Sequence, residues 1–188
     1  AVAFYEVTKV AAKMAEMAKD NLATSLEQFR SFDEDRSVEI LATEDRLDTF
    51  TDRADNYLIE LSGHIDLETD NRQRNILMQC IRDIERIGDY ATNFDEMAKK
   101  ISDSESTFSK VAWEEVEILN DAVQEILRLT VEAISEGNEY VIRRIEPLEE
   151  TIDDMVLLLK ERHTARLCAG TCNINSGLVF MDALTYFE

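Results

Sequence analysis

Apolar side chains recur every three or four residues through most of this 188-residue chain, as in the series Val7, Ala11, Met14, Ala18 and Leu22. Because an α-helix has 3.6 residues per turn, this spacing places the apolar residues on one face of a helix. The chain also has only one proline and five glycines, which is few for the many tight turns of a sheet protein. The pattern therefore predicts an all-α fold.

The apolar pattern divides into six segments. The first covers roughly residues 3–31, the second ends at Gly63, and the polar stretch 102–106 separates the third from the fourth, which ends at Gly137. The third, fifth and sixth segments carry apolar residues over 77–98, 141–159 and 178–187. Pro147 lies inside the fifth pattern, where we expect it to kink the helix or to mark a restarted first turn.

The two halves of the chain resemble each other. Six positions in the second segment match positions that lie 105 residues later: Ile40, Glu44, Asp45, Leu47, Asp48 and Phe50 match Ile145, Glu149, Glu150, Ile152, Asp153 and Met155. A fixed offset of this kind indicates an internal repeat. We predict a single domain over residues 1–188, made of two three-helix bundle repeats at about 1–104 and 105–188, with the second truncated at its C-terminus.

The charge of the chain restricts its partners. It has 40 acidic and 20 basic residues, a formal net charge of −20, which repels nucleic-acid phosphates and anionic lipids. We therefore expect no nucleic-acid partner, while cations and basic proteins remain compatible. Three cysteines, an odd number, indicate a reducing compartment. Cys168 and Cys172 near His163 could suggest zinc, but a fourth ligand is not evident and ordinary thiols are favoured.

Pairs of acidic residues four positions apart recur at related places. Glu44 and Asp48 form one pair, Glu149 and Asp153 the matching pair of the second half, and Glu85 and Asp89 another in the third segment. Residues with this spacing are neighbours on a helix, where like charges repel. A bound cation would remove the repulsion, and hard or borderline cations take carboxylate oxygens. The alternative is a solvated acidic face, which is common in acidic helical proteins.

The run 83–89, Asp-Ile-Glu-Arg-Ile-Gly-Asp, followed by Asn93, resembles the "ERIGD" signature of the PhoU family. The resemblance implies a six-helix fold of two three-helix repeats with clusters of iron, zinc or similar divalent or trivalent metal ions at the surface. Segments 57–62 and 163–170 are most similar to the PhoU-like cytoplasmic domain of bacterial sodium-dependent phosphate cotransporters.

The resemblance also implies which residues bind metal, when the motif is matched position by position. The first repeat supplies Glu44, Asp45, Asp48, Glu85 and Asp89, and the second supplies Glu149, Asp153 and Glu188. The aspartate expected four residues after Glu188 is not in the sequence, so the second metal site is expected to be incomplete.

The leading functional hypothesis is a metal-binding regulatory or accessory domain of a sodium/phosphate cotransporter, not an enzyme. It would lie at the cytoplasmic side of the membrane, attached to the transmembrane portion of the same polypeptide, and would form a homodimer. One alternative is a purely structural, dimer-forming bundle. Another is a di-metal carboxylate enzyme, but Leu61 and Lys160 stand three residues before His64 and His163, where that class requires glutamate.

Overall fold

A computed structural model describes residues 2–63, 68–137 and 139–188, and thus leaves out His64. These residues form six helices and no strand, which confirms the all-α prediction. The helices are α1 (Val2–Glu27), α2 (Glu34–Ser62), α3 (Glu68–Asp103), α4 (Lys110–Glu136), α5 (Glu139–Cys168) and α6 (Ile174–Phe187). None of the helices in the described ranges combines the length and the apolar character needed to cross a bilayer.

The helix boundaries follow from local side-chain chemistry. The α2 helix begins after Asp33, whose carboxylate accepts a hydrogen bond from the backbone N–H of Asp35. Gly137 ends α4 in the left-handed conformation, with φ of 62°, which glycine adopts without steric strain. The first helix ends at Glu27, earlier than expected, because the side-chain amide of Gln28 binds both the N–H and the carbonyl of Asp33 and holds a turn there.

Pro147 does not divide the fifth helix, so the restarted first turn, one of the two alternatives expected there, is wrong. The α5 helix runs without interruption from Glu139 to Cys168. A proline inside a helix removes one backbone N–H donor but leaves its own carbonyl free to accept. That carbonyl accepts a hydrogen bond of 2.8 Å from the hydroxyl of Thr151.

Two clusters of buried apolar residues hold the helices together. One joins the N-terminal half of α1 to α2 and α3 through residues such as Met14, Leu58 and Ile81. The other contains residues from both predicted repeats, including Phe94 from α3 and Phe180 from α6. Because α1 also packs against α4, the two three-helix groups share their interior. The α2 and α3 helices lie side by side, and this arrangement brings their acidic residues together.

A buried polar cluster lies in the second repeat, where Glu115 of α4 meets His163 and Arg166 of α5. Glu115 is 5% exposed and accepts two hydrogen bonds from the guanidinium of Arg166, at 2.9 and 2.6 Å. His163 is fully buried beside Arg166 and against the ring of Phe180. Burial, and then the charge of Arg166, lowers the pKa of His163. His163 is therefore a neutral core residue rather than an exposed ligand.

Candidate metal centre

Carboxylates from two helices converge on the surface of the first repeat. Glu44 and Asp48 come from successive turns of α2, and Asp89 comes from α3. One oxygen from each of these three side chains lies within 4.8 Å of the other two. Leu47 on α2 and Ile84 on α3 are buried, whereas Asp48 is exposed and Glu44 and Asp89 are only partly buried.

This spacing fits a single cation. Oxygen ligands lie about 2.0–2.6 Å from Mg²⁺ or Ca²⁺, so two ligands of one ion can be at most about 4.0–5.2 Å apart. Each pair of the three oxygens lies within the upper limit of this range, and small side-chain rotations would bring all three to ligand distance of one ion. All three donors are carboxylates, a ligand type that suits Mg²⁺, Ca²⁺ and Mn²⁺ better than zinc, which commonly takes cysteine or histidine.

The pKa values of Glu44 and Asp48 are raised by desolvation and by repulsion from neighbouring carboxylates. Partial burial, then the negative charges of Asp48 and Asp89, raises the pKa of Glu44. Partial desolvation of the carboxylate, followed by the charge of Asp89 and then that of Asp45, raises the pKa of Asp48. Both shifts mean that the metal-free folded state disfavours the ionised form of these groups. A cation in the centre would reverse that preference.

Glu85 and Asp45 lie at the edge of this group. Partial burial and the charges of Asp89 and Asp48 raise the pKa of Glu85, while the nearby Arg86 partly offsets the effect. Glu85 is not one of the three residues whose oxygens meet within 4.8 Å. Asp45 is exposed on α2 and acts on the cluster through its charge. The structure thus brings Glu44, Asp48 and Asp89 together and leaves Glu85 and Asp45 beside them.

The acidic residues of the second repeat are arranged differently. Glu149 and Asp153 are exposed on α5, and Glu188 forms a 3.0 Å ion pair with Lys160. Glu149 and Glu188 line one groove, but within the described part of the chain they do not form a three-carboxylate group of the kind seen in the first repeat. The two repeats therefore share the motif but not the cluster.

Carboxylate repulsion should make the metal-free protein sensitive to pH in a defined direction. A carboxyl group whose pKa is raised by folding contributes stability at low pH that is lost as the pH rises through the folded-state pKa. Glu44→Gln should therefore change little near pH 4 and should raise the free energy of unfolding by a few tenths of a kcal/mol at pH 7. Urea unfolding in EDTA at both pH values measures this difference.

The matched control for Glu44→Gln is Glu149→Gln, which removes the same charge from the equivalent position of the second repeat. It lies outside the cluster, so its effect should not grow between pH 4 and pH 7. A wild-type chain that is more stable than Glu44→Gln at pH 7 would contradict the inferred repulsion.

Comparison with known proteins agrees with this architecture. Residues 11–102, which contain the whole carboxylate cluster, match the family model of the PhoU domain. The full sequence matches no curated protein.

Solved structures extend the likeness to nearly the whole chain. PhoU from Pseudomonas aeruginosa superposes with a TM-score of 0.89 at 15% identity, covering 99% of this chain and 88% of that one. A Streptococcus pneumoniae protein, described as the phosphate transport system regulatory protein PhoU, gives 0.85 at 14% identity, covering 98% and 86%. A PhoU-like protein from Shewanella oneidensis MR-1 gives 0.61 at 11% identity, covering 96% and 90%. Residues 11–102 therefore resemble the PhoU domain, and nearly the whole length of the chain has the fold of the solved PhoU proteins.

Proposed function

We propose that this chain is a metal-binding regulatory domain that takes part in phosphate transport. The observation that carries the proposal is the convergence of Glu44, Asp48 and Asp89 within the segment that matches the PhoU domain. The similar structure from Streptococcus pneumoniae is described as a regulator of a phosphate transport system, which supports the regulatory part.

A binding role fits the position of the carboxylates better than a catalytic one. Asp48 is exposed, and Glu44 and Asp89 are only partly buried on an open helix surface. A catalytic carboxylate usually works in a cleft that excludes water. A surface cluster instead lets a bound cation change the charge of the protein surface that a partner meets.

The proposed metal is a hard cation held by Glu44, Asp48 and Asp89, with Glu85 beside them. When bound, the cation would supply positive charge that cancels the repulsion between α2 and α3. Mn²⁺ is a suitable probe because carboxylates suit it and it can be measured at low concentration. Iron remains compatible with the resemblance, whereas zinc has no histidine or cysteine in this cluster.

The finer part of the proposal places this domain beside a membrane transporter. The similarity of segments 57–62 and 163–170 to cotransporter domains supports attachment to a transmembrane portion on the cytoplasmic side. The homodimer stays a prediction, and so does metal binding by Glu149, Asp153 and Glu188.

Metal binding and phosphate uptake together test the proposed function. Protein purified without chelator is analysed for metal and titrated with Mn²⁺, and wild type should bind while Asp48→Asn with Asp89→Asn should not. Glu149→Gln with Asp153→Asn is the matched control, because it also removes two carboxylate charges, at the α5 positions that match Glu44 and Asp48. The control should keep the Mn²⁺ binding of the first repeat.

The regulatory role is tested in cells that carry the same changes in their own copy of the chain. Uptake of labelled phosphate should lose its dependence on external phosphate when Asp48 and Asp89 are changed. Unaltered regulation in a variant that no longer binds Mn²⁺ would separate the metal from the function and would refute the proposal.

A further inference from the structure

A glycine lies in the middle of α3 directly beside the candidate metal centre. Gly88 is buried and stands between Glu85 and Asp89 in the sequence. A Cβ atom at this position would lie 2.9 Å from Cδ1 of Leu47 on α2. Carbon atoms in good contact are about 3.5–4.0 Å apart, so any larger residue would collide with Leu47.

Leu47 is the residue of α2 that lies opposite Gly88. It follows Glu44 by three residues and precedes Asp48, and it is only 1% exposed. Its methyl group fills the space that the missing side chain of Gly88 leaves open. Because Leu47 is enclosed by the core, we expect that it has little freedom to rotate away, and α2 would have to move instead.

Helix propensity does not explain Gly88. Glycine in a helix interior is less favourable than alanine by about 1 kcal/mol. A glycine at position 88 instead allows α2 to approach α3 closely. This approach lies beside Asp48 and Asp89, whose carboxylate oxygens come together across the two helices.

We propose that Gly88 is a positioning residue, which sets the separation of α2 and α3 so that Asp89 can share one cation with Glu44 and Asp48. This inference rests on the proposed metal function. Gly88 itself touches no ligand and acts through Leu47. Groups that orient metal ligands typically alter affinity by about 10- to 100-fold when they are changed.

The test compares Gly88→Ala, Leu47→Ala and the double variant. Gly88→Ala should weaken Mn²⁺ binding about tenfold, because the added methyl group separates the carboxylates of α2 and α3. Leu47→Ala alone should stay within about threefold of wild type. The double variant has room for the new methyl group and should return to within about threefold of wild-type affinity.

Stability in EDTA provides the second readout. The double variant loses buried side-chain volume at Leu47, so it should unfold at a lower urea concentration than wild type although its Mn²⁺ affinity is restored. A purely structural role of Gly88 would make affinity follow stability. Gly177→Ala is the matched control, because a Cβ there would lie 3.0 Å from His163 Nε2, far along the chain from the carboxylates. It should lower stability and leave Mn²⁺ affinity unchanged.

The outcomes separate this inference from the proposed function. A wild-type chain that binds no Mn²⁺ overturns the proposed function and the role of Gly88 with it. If wild type binds and Gly88→Ala binds equally well, Leu47 rotates in place and only the positioning role is wrong. The positioning role is also wrong if the double variant binds as weakly as Gly88→Ala, or if Leu47→Ala alone is equally impaired.

Discussion

Mn²⁺ at about one hundred times its dissociation constant should raise the free energy of unfolding by about 2.7 kcal/mol, because an ion that binds only the folded chain stabilises it by mass action. For a chain of this size the midpoint of thermal unfolding should rise by roughly 5–10 °C. Excess EDTA should remove the whole gain. Thermal and urea unfolding, each with and without metal, measure the effect.

Neutralising the cluster should abolish this gain without harming the metal-free protein. Asp48→Asn with Asp89→Asn removes two of the three converging carboxylates and also part of their repulsion. In EDTA the variant should therefore be at least as stable as wild type. Glu149→Gln with Asp153→Asn should keep the response to Mn²⁺. If the first variant kept the full metal-dependent shift, the cluster would be an ordinary solvated face.

Glu115→Ala should be the most destabilising of the charge-removing changes considered. It takes away the carboxylate that accepts two hydrogen bonds from Arg166, which is only partly exposed and lies beside the buried His163. Removing one partner of a buried ion pair leaves the other charge poorly solvated and costs about 3–5 kcal/mol. Urea unfolding at pH 7 measures the loss.

The matched control lies two residues along the same helix. Glu117 pairs with Arg30 on the surface, and both side chains are substantially exposed. Solvent screens such a pair, so Glu117→Ala should cost less than about 1 kcal/mol. Equal losses for the two variants would mean that burial of Glu115 does not govern the strength of its ion pair.

The architecture could be predicted largely from the sequence because it depends on local patterns. The three- and four-residue spacing of apolar residues specifies helical faces, and Gly63 and Gly137 end α2 and α4 where the pattern places them. The first residue of α5 lies 105 positions after the first residue of α2, the same offset that relates Glu149 to Glu44. The α5 helix continues through Pro147, so the restarted turn, one of the two outcomes expected there, is wrong.

The sequence by itself also determined which acidic residues share a helix face, since spacing of four residues fixes neighbours within one helix. It did not determine which faces meet. The residue of α3 that lies close to Glu44 and Asp48 is Asp89 and not Glu85, although all four residues fit the motif. The packing of α2 against α3 decides this, and in that packing a Cβ atom at Gly88 would lie 2.9 Å from Cδ1 of Leu47.

The two repeats show the same division between local and tertiary information. Their motifs are nearly identical, yet Glu44 and Asp48 meet a carboxylate of α3, whereas Glu188 pairs with Lys160. His163, a possible ligand by residue type, is enclosed by Arg166 and Phe180 in the core. A side chain's chemistry is encoded at its own position, but its partners come from residues distant in the chain, and their approach depends on how whole helices pack.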